Sequence, residues 1–218
     1  MRTLAVTKRN WAQWRRCAMV LVTTILASAA PAAAGPTILL YGDSLLAGYG
    51  LPPQEGFASQ LQAAMDAAGL EATLVNASVS GETTANGLAR LDWSLAEVPD
   101  AVILGLGAND MLQGLSPAAA RANLDAMLDR FDALDLPVLL LGMLADRGLG
   151  PDYVAAFDGL YPALAREHDT LLYPFFLEGV ALDPAYNQAD GHHPNAAGVA
   201  RIVQKLLPQV AALLARLP

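Results

Sequence analysis

Cysteine is nearly absent: Cys17 is the only thiol in 218 residues. It lies close to the N-terminus, so the chain beyond it has no disulfide, no thiol nucleophile and no cysteine metal site. Histidine is almost as scarce, with His168, His192 and His193 the full set, and beyond residue 34 Trp93 is the one tryptophan. Positive charge is thin as well. From residue 35 onward eight Lys or Arg stand against 21 Asp or Glu, a net charge of −13. A surface of that sign repels nucleic acid and exerts no pull toward anionic lipid headgroups.

The basic residues missing from the rest of the chain are concentrated at its start. Arg2, Lys8, Arg9, Arg15 and Arg16 precede a mostly apolar run from Cys17 to Ala30, and Ala32-Ala33-Ala34 follows Pro31. A basic head, a short apolar stretch and an A-x-A site are the parts of a secretory signal peptide. A membrane anchor is the alternative, but a spanning helix needs about 20 apolar residues, and this run is shorter. Arg15-Arg16 also invites a twin-arginine reading, although such pairs are common in ordinary signals. Cys17 precedes the apolar run, which argues against a lipidated cysteine. The expectation is a signal over residues 1–34, cleavage near Ala34, no stable membrane anchor afterwards, and an exported protein of residues 35–218.

From Gly35 onward, short apolar runs alternate with longer helical patterns. Thr37–Tyr41, Ala72–Val75, Ala101–Leu106, Pro137–Met143 and Thr170–Tyr173 read as strands buried on both faces. Helical patterns cover Phe57–Ala68, Thr84–Ala96, Pro117–Leu134, Tyr153–His168 and Asn195–Leu214. Ser116-Pro117 suits an N-cap followed by proline at N1, and Gly69 suits a C-terminal cap. Strand–helix alternation without repeats or linkers predicts a single three-layer α/β/α domain on a five-stranded parallel sheet. In such sheets ligands bind beyond the carboxyl ends of the strands, so the residues just after each strand are the candidates for chemistry.

Gly42-Asp43-Ser44 follows the first strand, Ser80-Gly81 comes after the second, and Gly107-Ala108-Asn109-Asp110 after the third. Asp190-Gly191-His192-His193-Pro194 precedes the last helix. Taken singly, each has a structural reading: Ser and Asp make turns, Asn caps helices, Gly ends strands. Together they contain the parts of acyl-transfer chemistry. A serine hydroxyl needs a base within hydrogen-bond reach, and a carboxylate on the other imidazole nitrogen fixes the tautomer. An Asp three residues before a His can provide that orientation locally. His168 ends a helical pattern and is expected to interact with that helix terminus.

In this order the blocks resemble the GDSL, or SGNH, hydrolases. The resemblance spans nearly all of residues 35–218 and looks closest to the periplasmic multifunctional thioesterase/lysophospholipase/arylesterase branch. The stretches LLYGDSLLAGYGL, LVNASVSGETTANGLARL, YPFFLEGVAL and DGHHPNAAG carry it. It implies Ser44 as nucleophile, His193 as base and Asp190 as triad acid. It also implies an oxyanion hole from the backbone N–H groups of Ser44 and Gly81 and the Asn109 amide. The resemblance further implies activity on acyl, aryl or lysophospholipid esters, and on thioesters that the same site can attack, with a small-molecule ester or lipid as partner. It needs no metal and no organic cofactor.

Some positions depart from the family pattern. Ala108 stands where many relatives have a second glycine, and Leu46 replaces a small polar residue, which is expected to make the crevice mouth more apolar. His192 sits beside the expected base as a surface or substrate-contacting residue. Met111, Leu112 and Leu115 are candidates to line an acyl site, or simply pack their loop onto the core. The GxSxG elbow of the α/β-hydrolases is absent. A carbohydrate O-deacetylase could use the same residues, although a sugar platform would want more aromatics than Trp93. A non-catalytic lipid- or glycan-binding module would not need the nucleophile and base that this chain retains.

Overall fold

A computed structural model describes residue 3 and residues 35–218; the expected signal, with Cys17, falls outside the described residues apart from residue 3. Five strands, β1 (Thr37–Gly42), β2 (Thr73–Asn76), β3 (Ala101–Gly105), β4 (Val138–Leu141) and β5 (Leu171–Tyr173), form one parallel sheet in the order β2-β1-β3-β4-β5. The helices are α1 (Ser44–Ala47), α2 (Phe57–Ala67), α3 (Thr84–Ser94), α4 (Ala108–Leu112), α5 (Pro117–Asp132), α6 (Pro151–Glu167) and α7 (Ala196–Leu214). Helices α2 and α7 pack on each other, while α5 packs with both α3 and α6. This is the expected three-layer fold.

Burial follows from position in the sheet. The central strands β3 and β4 are buried at every residue, as runs of Ala, Val, Ile and Leu allow only between two helical layers. β2 differs from the expectation of burial on both faces: Val75 is 48% exposed, with Thr73 and Asn76 also exposed. It is an edge strand paired only with β1, and its apolar run is too short to imply two covered faces. In α7, Val199, Ile202, Val203, Leu206, Val210 and Leu213 recur at three- and four-residue intervals and face the core. Its N-terminus is fixed by Asn195, whose side chain accepts from the Gly198 N–H at 3.0 Å.

Gly69 follows the end of α2 at φ +69, as expected. Ser116 stands at the N-cap of α5, but its side chain makes no capping bond; Pro117 alone carries the expected start signal.

The strand order reverses direction from β1, with β2 on one side and β3 on the other. A crevice opens at such a switch point, beyond the carboxyl ends of these two strands. Gly42 and Gly105 are paired in register there. A Cβ on Gly42 would stand 2.6 Å from the Gly105 carbonyl oxygen and 2.9 Å from Leu46, so only glycine permits this approach. Leu46 fills the space and is 1% exposed. It therefore does not line the crevice mouth, contrary to expectation; it plugs the sheet beneath the crevice. Truncation to alanine at such a buried position costs about 2–5 kcal/mol.

Candidate active site

The site grows from loops at the carboxyl edge. β1 leads directly into α1, whose first residue is Ser44 and whose N-cap is Asp43. The Asp43 carboxylate accepts the Leu45 N–H at 3.0 Å and is 1% exposed. Burial pushes its pKa up to about 7, against the opposing hydrogen bond from Leu45 and the attraction of His193. Because that N-cap bond goes to Leu45, the Ser44 N–H stays available at the helix start, where partial positive charge collects.

The long connection from β5 to α7 brings in the imidazole. An antiparallel bridge between Asn187 and Pro194 pinches this loop. Within it, one Asp190 carboxylate oxygen accepts the backbone N–H groups of His192 (2.9 Å) and His193 (3.0 Å). The other oxygen meets His193 Nδ1 at 2.7 Å, and His193 Nε2 lies 2.8 Å from Ser44 Oγ. Those backbone bonds, followed by the imidazole, hold the Asp190 pKa well below the usual carboxylate range. The carboxylate thus remains ionised and selects the tautomer with Nδ1 protonated. Nε2 then faces the hydroxyl as an acceptor.

Asn109 is the second residue of α4, directly after β3. Its Nδ2 donates to the Glu82 carbonyl at 2.9 Å, and Asp43 Oδ2 is 3.5 Å away, too far for a strong bond. Glu82 is itself fixed, since its carboxylate takes two 2.6 Å bonds from Arg90, whose guanidinium lies 4.2 Å over the Tyr41 ring. Next in sequence, buried Asp110 accepts both the N–H (2.8 Å) and hydroxyl (2.7 Å) of Thr84, the first residue of α3. These two ties lock the loops after β2 and β3 together. Gly81 sits in the first of them at φ +84.

A cavity of about 250 Å³ lies over these groups. Ser44, Gly81, Asn109 and His193 all line it, so the sequence candidates from four loops meet in one place. Asp190 stands behind His193. Met111 and Leu112 also line the cavity, whereas Leu115 does not: it is 40% exposed, and its carbonyl accepts the Tyr153 hydroxyl instead. His192 lines the cavity beside its neighbour. Ser80, beside Gly81, lines it too, and Leu45, Tyr49, Met143 and Leu177, to which no sequence motif pointed, complete the wall. Met143 and Leu177 come from the ends of β4 and β5 regions, and only the strand order brings them close. Trp93 is 79% exposed and does not line the cavity.

His168 departs from its expected role. It is the C-cap of α6, but its ring turns to α5, with Nδ1 2.6 Å from Asp132 and Nε2 2.9 Å from Asp125. Burial of the ring lowers its pKa, and the two carboxylates outweigh this to give a net rise.

The fold and this linked serine, imidazole and carboxylate define the class: a serine ester hydrolase on a parallel α/β sheet. Residues 40–201 match the GDSL-like Lipase/Acylhydrolase family, and the chain belongs to that family. It is 42% identical over 183 residues to the esterase TesA of Pseudomonas aeruginosa, covering 84% of this chain and 91% of that one. It is 39% identical over 165 residues to thioesterase 1/protease 1/lysophospholipase L1 of Escherichia coli K12, covering 75% and 78%. Among solved structures, the SGNH-hydrolase family esterase AlinE4 superposes with a TM-score of 0.70 at 45% identity, covering 82% and 96%.

Proposed function

We propose that this hydrolase cleaves short-chain acyl and aryl esters, and thioesters by the same route, through an acyl-enzyme on Ser44. The observation that carries the reading is the unbroken sequence of contacts from Asp190 through His193 to Ser44, at 2.7 and 2.8 Å. Ser44 Oγ attacks the carbonyl carbon as its proton passes to His193 Nε2. The resulting oxyanion is held by the N–H groups of Ser44 and Gly81 and by the Asn109 amide. Collapse breaks the carbon–oxygen or carbon–sulfur bond, and the leaving alcohol or thiol takes the proton from Nε2. Water then repeats both transfers, releasing the acid and restoring Ser44. Asp190 stays ionised and stabilises the imidazolium in each half.

Two features support the substrate range. The cavity of about 250 Å³ is smaller than the ~300–1,000 Å³ typical of drug-sized ligands, which suits a short acyl group. Leu45, Met111, Leu112, Met143 and Leu177 supply apolar surface for that group. Residues 1–34 act as an export signal in this reading, leaving residues 35–218 as the periplasmic enzyme; the name of the E. coli relative supports the thioesters and adds lysophospholipid as a further substrate to try. The test is a p-nitrophenyl ester series of rising chain length, run beside a lysophospholipid and acetylated sugars, with Ser44→Ala as control. The expected result is a kcat/KM maximum at short chains that vanishes in Ser44→Ala. A maximum on acetylated sugar would overturn the substrate reading, and an active Ser44→Ala would overturn the mechanism.

A further inference from the structure

His193 sits on a loop with little regular structure, and its side chain is 23% exposed. Asp190 holds Nδ1 and Ser44 meets Nε2, but two in-plane hydrogen bonds leave the ring free to tilt about the line that joins them. The Tyr49 ring fills that gap: its centroid lies 4.7 Å from the imidazole centroid at an interplanar angle of 41°. Tyr49 is itself 53% exposed, and it belongs to the turn between α1 and the next segment, Gly48-Tyr49-Gly50. Burial does not explain why this ring stays on the imidazole.

Gln188 does explain it. Its side-chain Nε2 donates to the Tyr49 carbonyl at 2.8 Å and to the Pro194 carbonyl at 3.0 Å. Its backbone N–H donates to the His193 carbonyl at 2.8 Å. One residue therefore grips the tyrosine turn and both residues at the far side of the histidine loop. The fit is close: a Cβ on Gly50 would stand 2.2 Å from Gln188 Oε1, and Gly50 holds φ +74. Glycine at position 50 is what lets the amide reach the turn.

We propose that Gln188 is a positioning residue, a staple that ties the Tyr49 turn to the His193 loop and so holds the tyrosine ring against the imidazole in the tilt that aims Nε2 at Ser44. The inference rests on the Ser44–His193 mechanism proposed above. As the imidazole gains a proton, the facing tyrosine π-surface also favours the cation. Misaligning a base by about 1 Å can cost on the order of 100-fold in rate, so partial loosening of the staple is expected to cost about tenfold.

The experiment is a double-mutant cycle on p-nitrophenyl butyrate hydrolysis with Gln188→Leu, Tyr49→Ala and the double variant, each with kcat, KM and Tm. Gln188→Leu keeps the bulk and removes the donor. It should lower kcat about tenfold with KM nearly unchanged and Tm retained. Tyr49→Ala should lose a similar factor, Tyr49→Phe should rescue most of it because the ring is kept, and the double variant should be no worse than either single. Fluorophosphonate labelling of Ser44 should slow in the same proportion. Wild-type kcat in Gln188→Leu, losses that multiply in the double variant, or a change confined to KM would overturn the inference. Should Gln188→Leu not fold, Tyr49→Ala and Tyr49→Phe still decide: equal kcat in the two overturns it. Ser44→Ala is run alongside. If it hydrolyses ester, the mechanism itself fails; if it is dead while Gln188→Leu turns over normally, only the staple fails.

Discussion

Two histidines in this molecule are paired with aspartate, and they differ in what the second nitrogen meets. At His193, Nδ1 faces Asp190 and Nε2 faces the Ser44 hydroxyl. At His168, Asp132 and Asp125 take both nitrogens, in a bridge between α5 and α6 well away from the cavity lining. A ring between two carboxylates is favoured as the doubly protonated cation and has no lone pair to offer. A ring between a carboxylate and a hydroxyl keeps an accepting nitrogen at the hydroxyl. The chemistry of an imidazole is thus set by its second partner; an aspartate on the first nitrogen is common to both sites.

Substitutions at the two histidines should separate these roles most sharply. His193→Gln is expected to lower kcat by about 10⁴- to 10⁶-fold, whereas His168→Gln should hydrolyse p-nitrophenyl esters at the wild-type rate. Asp190→Asn comes next, with a loss of about 10⁴-fold, because the amide no longer selects the tautomer that leaves Nε2 free. Asn109→Ala should lose about 10²- to 10³-fold in kcat with little change in KM; a loss confined to KM would mean that Asn109 only positions substrate.

The smallest effect belongs to the structural histidine and is read in stability. Because its folded pKa lies above the ordinary value, the His168 bridge stabilises fully below pH ~6.5 and fades as pH rises through the raised pKa. Its partners' side chains are 38% and 47% exposed, so screening limits the contribution to about 1 kcal/mol, or a Tm drop of about 2–4 °C in His168→Gln. That drop should be present at pH 6 and shrink at alkaline pH. Asp43 contributes a second slope of the same sign in a lower window. Its pKa is raised from 3.8 to about 7, so its contribution is complete below 3.8 and lost as pH rises through about 7. A thermal melt series of His168→Gln should therefore retain the lower slope and lose the upper one.

Much of the fold was legible because its signals are local. The runs TILLYG, AVILG and VLLL are too apolar to be anything but covered strands, and Asp190 lies close enough in sequence to His193 for their pairing to be read from spacing. The order of blocks along the chain added the family and, with it, Gly81 and Asn109. What escaped reading depends on strand order and loop contact. Leu46 is drawn under the crevice by two paired glycines 63 positions apart, a fact of register rather than of composition. Leu115 lies three residues beyond Leu112 and shares its chemistry, yet the turn after α4 carries it away from the cavity. Met143, Leu177 and the Gln188–Tyr49 contact come from segments that meet only at the sheet edge. His168 follows the same rule: its partners lie on the neighbouring helix, so the C-terminal position of α6 alone pointed to the wrong contact.

In the proposed mechanism Ser44 becomes acylated during turnover. Acid-quenching the enzyme during hydrolysis of p-nitrophenyl butyrate, followed by peptide mapping by mass spectrometry, tests it directly. A butyryl mass is expected on the peptide containing Ser44, absent in Ser44→Ala and accumulating to a higher fraction when deacylation is slowed. Full turnover with no acyl adduct at Ser44, or an adduct on another residue that persists in Ser44→Ala, would contradict it.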